Sequence, residues 1–224
     1  EEDITIAAER LFTTRYLLGI LGDGSEFDKI PYETVECEEH LALAQEAARK
    51  SCVLLKNKGL LPLNPETVGT IGVIGPNANS RISLIGNYHG TASRYITVLE
   101  GIQDAMAGFG RVLYSEGCGL FKDRVEGLGQ PGDRLAEAVT VAKHSDVAVV
   151  VLGLDETLEG EEMDAGNNAE SCGDKRDLLL PAPQRELLHK VLEVGTPTIV
   201  VLMAGSAIDL SEAEEKAGAI LLSW

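Results

Sequence analysis

Carboxylates crowd into residues 155–164: Asp155, Glu156, Glu159, Glu161, Glu162 and Asp164, inside the run GLDETLEGEEMDAGNNAESCGDKRDLLLPAPQRELL that starts at Gly153. Carboxylates this close repel one another, which raises pKa values unless water, a metal or cations intervene. A carboxyl that keeps its proton near neutral pH is what a general acid requires. A solvated acidic loop fits the same residues, and composition alone favours it. A calcium loop fits poorly, because the spacing departs from D-x-[DN]-x-[DN]-G with a glutamate at position twelve. No metal site is expected.

A second group of chemistry-bearing residues follows IGVIGPNANS (71–80). The segment RISLIGNYHGTASRYIT (81–97) brings Asn87, Tyr88, His89, Ser93 and Arg94 close together in sequence. Hydrogen-bonding and aromatic groups of this kind suit a sugar. The glycines of 71–80 do not form a dinucleotide fingerprint. G-x-G-x-x-G is missing, and Pro76 stands where backbone amides should face a pyrophosphate. Nucleophile elbows of the G-x-S-x-G type and H-E-x-x-H zinc motifs are also missing. Ser206, in MAGSAIDL, has no evident histidine partner and reads as a loop residue. Nothing demands a cofactor.

The elements that must position these residues show in the hydrophobic pattern. Short β-branched runs occur at 70–75, 111–115, 147–153, 198–203 and 219–222, and amphipathic segments at about 98–108, 133–144, 184–194 and 211–217 alternate with them. Strands apolar on consecutive positions are buried on both faces. The expectation is therefore α/β: an open, mostly parallel sheet with helices on both faces, an α/β sandwich. In such sheets ligands bind beyond the carboxyl ends of the strands. Three polar connections leave those ends, at 76–97, 116–132 and 154–183, and the last is long enough to suggest a functional role.

Ahead of the sandwich, residues 3–21 have apolar side chains at helical spacing, with Ile6, Leu11, Leu17 and Leu18 near one stripe and Gly22 and Gly24 as stop signals. Residues 23–37 read as an irregular linker, and EEHLALAQEAARKS (38–51) as a second helix. The expected division is 1–22, 23–37 and 38–224.

Composition narrows the partners. Among 224 residues, 36 acidic and 19 basic side chains give a net charge of −17, a surface that repels phosphate backbones and anionic membranes. Apolar runs are all too short to span a bilayer. Cys37, Cys52, Cys118 and Cys172 follow no C-x-x-C spacing and read as free thiols, which leans toward a cytoplasmic over a secreted setting. Residue 1 is Glu and no signal-like stretch follows, so targeting is unreadable.

AARKSCVLLKNKGLLPL (47–63), IGVIGPNAN, LIGNYHGTASRYITVLEGI (84–102), LEGEEMD with DLLLPAPQRELL, and GTPTIVVLMAGSAIDL (195–210) together resemble glycoside hydrolase family 3. The GNYHG loop most resembles the β-xylosidases. The resemblance runs from about residue 38 to the end, and TRYLLGILGD is similar to the close of the family's preceding (β/α)8-type barrel. It implies a retaining, exo-acting β-glycosidase working on oligosaccharide or aryl glycoside substrates at a cleft between two domains, with a β-glucosidase as the alternative. A non-catalytic carbohydrate-binding module of the same fold is a further alternative. The nucleophilic aspartate would lie late in the barrel, in an S-D-W-like motif that this sequence lacks. The missing barrel domain is thus an expected partner. LLSW (221–224) follows the fifth expected strand sooner than the family's usual continuation, so a partial domain is expected.

The acid/base glutamate of the family lies in an E-G-x-D-R-like stretch, here LEGEEMD. Counting back from Asp164 selects Glu161; matching the Glu-Gly pair selects Glu159; Glu162 ranks third. An insertion, 165–173, separates Asp164 from Lys175 and Arg176. The resemblance places Tyr88 and His89 at the sugar subsites and gives Asn87 a structural role.

Overall fold

The computed structural model describes residues 1–22, 24–86, 88–123, 125, 127–160 and 175–224. These residues form two compact units, Glu1–Ala48 and Arg49–Trp224.

In the first unit, helix α1 spans Glu2–Leu17 and ends on Leu18, earlier than the glycines at 22 and 24 suggest. Gly19 stops it. Its φ of 77° is a left-handed conformation that glycine adopts without a Cβ penalty, and the amide of Ile20 closes on the Arg15 carbonyl at 3.0 Å. Residues expected to be irregular contain two short 3-10 turns, Glu26–Lys29 and Tyr32–Thr34, the first held by a Ser25/Asp28 capping box. Helix α2, Glu38–Ser51, crosses from one unit into the other.

The second unit is a six-stranded sheet. Its strands are β1 (Val53–Asn57), β2 (Thr70–Ile74), β3 (Arg111–Ser115), β4 (Val147–Gly153), β5 (Thr198–Met203) and β6 (Ala219–Ser223), in spatial order β1-β6-β5-β4-β2-β3. Five run parallel, and β1 pairs antiparallel with β6, Val53 facing Leu222. This is the expected α/β sandwich with one strand added. VLLKN carries no buried pattern that would mark a strand in sequence: four of its five residues are exposed on the sheet edge.

Both faces of the sheet are covered, which is why the central strands need no polar alternation. On one face Ile74, Val150, Leu152, Val200 and Leu202 pack against α4 (Asp133–Lys143), α5 (Ala182–Val194) and α6 (Ser211–Lys216), through Ala138, Ala142, Leu187, Leu188, Val191 and Ala213. On the other, Ile71, Val73, Val147, Val149, Val151 and Ile199 meet α3 (Val98–Met106) through Leu99 and Met106. Every residue of β4 is buried.

Cys37, Cys52 and Cys118 form no disulfide among the described residues. Cys118 belongs to the helix-rich core. Burial, and then the nearby Asp123 and Glu116 charges, push its thiol up to about 12. No helix among the described residues is long and apolar enough to cross a membrane.

Candidate active-site face

The acidic run leaves the carboxyl end of β4, where the sheet sets unusually tight geometry. At Gly153 the φ is 153°, and a Cβ there would lie 1.8 Å from the Met203 carbonyl oxygen on β5. Only glycine permits the two strands to approach this closely. The chain then turns at once. Leu154 donates to the same Met203 oxygen at 2.8 Å, and the Leu158 and Glu159 amides donate to the Asp155 carbonyl at 2.9 and 3.0 Å. The Asp155 carboxylate accepts from the Thr157 amide (2.9 Å) and hydroxyl (2.6 Å), fixing the turn from inside.

A fully buried side chain from α5 holds this corner. Gln184 accepts from the Gly153 amide at 2.9 Å and donates to the Gly153 carbonyl at 2.8 Å and the Leu120 carbonyl at 2.7 Å. Burying an amide with all three groups paired is tolerable; leaving them unpaired is not. The residue was hidden in sequence, because a glutamine in LPAPQRELL looks like ordinary helix surface. Its one available signal is that it falls on the same stripe as Leu187, Leu188 and Val191.

Glu159 emerges from the turn beside the loop that follows β5. Its carboxylate accepts from the Gly205 amide at 3.2 Å. It lines a cavity of about 490 Å³ with Gly160, Lys175, Arg176, Asp177, Leu178 and Ser206. That volume is within the range of small-molecule sites. Ser206, which the sequence leaves as a loop residue, is part of this wall. The far side is anchored by the Lys175 ammonium on the Ala207 carbonyl at 2.5 Å and by the Asp209 amide on the Leu178 carbonyl at 2.7 Å.

Glu161 and Glu162 lie outside the described residues, as does Asn87. Tyr88 and His89 are exposed, Tyr88 by 86%, and the His89 ring nitrogen Nδ1 is 2.9 Å from the Gly90 carbonyl oxygen. Neither lines the Glu159 cavity. Arg94, on the same loop, is paired with Glu100. Within its unit, the structure therefore groups Glu159 with a basic pair and leaves the aromatic–histidine pair on open surface.

A carboxylate at the mouth of a cavity, on the carboxyl-end face of a doubly covered parallel sheet, is a recurrent arrangement, and comparison with known proteins decides which lineage this one represents. Residues 52–224 match the glycosyl hydrolase family 3 C-terminal domain. The chain belongs to glycoside hydrolase family 3. This family 3 chain is 33% identical to a β-xylosidase of Formosa agariphila, across 97% of its own length and 29% of the relative's. It is 34% identical to the probable β-D-xylosidase 7 of Arabidopsis thaliana, across 99% and 27%. A β-glucosidase structure from Erythrobacter marinus superposes with a TM-score of 0.72 at 32% identity, covering 86% of this chain and 27% of that one. The family 3 chain thus spans under a third of the length of the relatives it matches.

Proposed function

We propose that this chain supplies the acid/base carboxyl of a retaining, exo-acting β-glycosidase, a β-xylosidase, that removes terminal β-linked sugars during xylan breakdown. The observation that carries the reading is that the segment leaving β4 puts Glu159 in the wall of a cavity with Lys175 and Arg176. Glu161 is the first choice for the acid, because it keeps the family's distance to Asp164; Glu159 follows, then Glu162. The nucleophilic aspartate belongs to a barrel domain that pairs with this one, and residues 1–22 are the last helix of that barrel. Xylosidase relatives favour the pentoside, and β-glucosidase is the alternative.

Chemistry on this plan needs two carboxyls about 5–5.5 Å apart. One attacks the anomeric carbon while the acid of this chain gives its proton to the departing oxygen, so the C–O bond breaks to a neutral alcohol. The resulting carboxylate then takes a proton from water, which attacks the glycosyl–aspartate bond and releases the sugar. A loop carboxyl arriving from a neighbouring domain keeps its proton when the closing cleft strips its water. Tyr88 and His89 contact the sugar from the loop after β2, and Asn87 takes a structural role.

The test is Glu161→Gln in the intact enzyme. Turnover of an unactivated β-xyloside should fall by about 10²–10⁴-fold, the usual contribution of general acid–base catalysis, and azide should restore turnover of an activated aryl xyloside as the glycosyl azide. If only Glu159→Gln behaves this way, the acid is Glu159. If Glu159, Glu161 and Glu162 can all be replaced without loss, a non-catalytic carbohydrate-binding role replaces this one. The 224-residue chain alone should give no turnover, and measurable hydrolysis by it would contradict the division of labour.

A further inference from the structure

Asn77, in the loop after β2, is 1% exposed, and its side-chain oxygen Oδ1 accepts no hydrogen bond among the described residues. Its amide nitrogen makes two bonds. Nδ2 donates to Ser83 Oγ at 3.0 Å, further along the same loop, and to the Leu154 carbonyl at 3.2 Å, in the segment that leaves β4. The bonds gained and the buried oxygen left unpaired are of similar size and opposite sign, so stability gives little reason for an asparagine here. Geometry gives a better one.

The chain leaves β4 one rigid peptide plane at a time. The plane joining Gly153 to Leu154 is pinned on both sides, by Gln184 on the Gly153 carbonyl and by the Met203 carbonyl on the Leu154 amide, each at 2.8 Å. The next plane joins Leu154 to Asp155, and Asn77 holds its carbonyl. The tilt of that plane sets where the Asp155–Glu159 turn points, because the turn closes through the Leu158 and Glu159 amides on the Asp155 carbonyl. Glu159 extends from the end of that turn to the Gly205 amide. Gln184 thus fixes the root of the turn from α5, and Asn77 fixes its first step from the loop after β2.

The Ser83 bond brings that loop into the arrangement. Ser83 lies in a short 3-10 turn, Ile82–Leu84, shortly before Tyr88 and His89. The base of the loop is closed by the Thr97 hydroxyl on Asn79 Oδ1 at 3.1 Å and by the Leu99 amide on the Ala78 carbonyl at 2.9 Å. Asn77 is therefore rooted in a fixed base, and a displacement of Ser83 reaches Leu154 through one side chain.

We propose that Asn77 is a positioning residue for the acid/base step: its amide ties the loop carrying Tyr88 and His89 to the turn presenting the acid, and so sets the aim of that carboxyl. The inference rests on the catalytic reading and goes beyond it, since it applies to Glu159 and equally to Glu161 or Glu162 further along the chain. A misplacement of about 1 Å can cost about 10²-fold in rate. That cost falls on leaving groups that need a proton to depart. An alkoxide does, whereas a dinitrophenolate leaves as a stable anion without one.

The experiment measures kcat/KM of the intact enzyme, which reports cleavage of the glycosidic bond, on xylobiose and on 2,4-dinitrophenyl β-D-xyloside. Loss of folded enzyme lowers both values alike, so their ratio reads the aim of the acid. Asn77→Ala should lower the xylobiose value by about 10–10²-fold and the dinitrophenyl value by less than about threefold. Ser83→Ala keeps the Leu154 bond and frees only the loop after β2. It should give the same selective pattern, at about three- to tenfold on xylobiose, and it carries the test if Asn77→Ala does not fold. Equal losses on both substrates, or none, in either folded variant would overturn the inference. Glu159→Gln, Glu161→Gln and Glu162→Gln, measured alongside, separate the two readings. If one of them is selective while the Asn77 and Ser83 variants are not, the catalytic reading stands and the positioning role falls. If none of the three is selective, both fall.

Discussion

The β4–α5 corner and the first unit show two ways of specifying structure. In β4 every residue is buried, and Val150, Val151 and Leu152 are wholly so. In α1 none is, and Leu11, Phe12, Tyr16 and Leu17 stand half exposed or more. The strand exists because flanking strands and helices bury it. The helix exists in this chain through local terms: the Glu2 and Asp3 carboxylates at its amino end, Arg15 in its last turn, and Gly19 as its stop. Loss of a neighbour should therefore destroy the first and leave the second nearly untouched.

The sharpest way to break that contrast is Gln184→Leu. The substitution removes three hydrogen bonds at the corner and strands the Gly153 amide and carbonyl in the interior, a cost of about 2–5 kcal/mol. Chemical denaturation should show it, and a cost below about 1 kcal/mol would mean water replaces the side chain. Leu187→Ala, at a position with 0% exposure, should cost about 2–5 kcal/mol through lost burial and the hole it leaves. Leu11→Ala, at a position 50% exposed, should change stability by less than about 0.5 kcal/mol in the 224-residue chain. The same Leu11→Ala in the intact enzyme should cost about 2 kcal/mol or more if the proposed barrel covers α1. Equal small effects in both settings would count against that partner.

The smallest effect concerns the thiols. Exposed Cys52 should alkylate promptly at neutral pH, whereas buried Cys118 should resist until the sheet unit unfolds. The folded state holds the Cys118 proton more tightly than the unfolded chain does. Its contribution to stability is thus complete below the ordinary thiol value of about 8.5, and it is lost as pH rises from there toward 12. Mass spectrometry after alkylation at increasing pH reads both outcomes, and early labelling of Cys118 would show that this corner opens without global unfolding.

The contrast also explains what the sequence made legible. The central strands announced themselves because burial on both faces leaves an unbroken apolar run, as in VAVVVLG, and α3 to α5 because their apolar stripes repeat at helical spacing. β1 is not legible in sequence, because an exposed edge strand has no such run and its partner β6 is distant in sequence. The acidic run was conspicuous, but its role depends on which strand end it leaves and what faces it, which only the folded sheet supplies. Ser206, Gln184 and Asn77 illustrate the same limit. Each is an ordinary polar residue in sequence, and each acquires meaning from a backbone carbonyl, an amide or a cavity contributed by distant residues.

The pairing of β1 with β6 has a consequence for engineering. Because Val53 runs beside Leu222, and Cys52 Sγ lies 4.0 Å from Ser223 Oγ, two residues 171 apart in sequence sit side by side at one edge of the sheet. A covalent tie built across that edge would close most of the sheet unit into one long loop, and would stabilise it chiefly by restricting the unfolded chain.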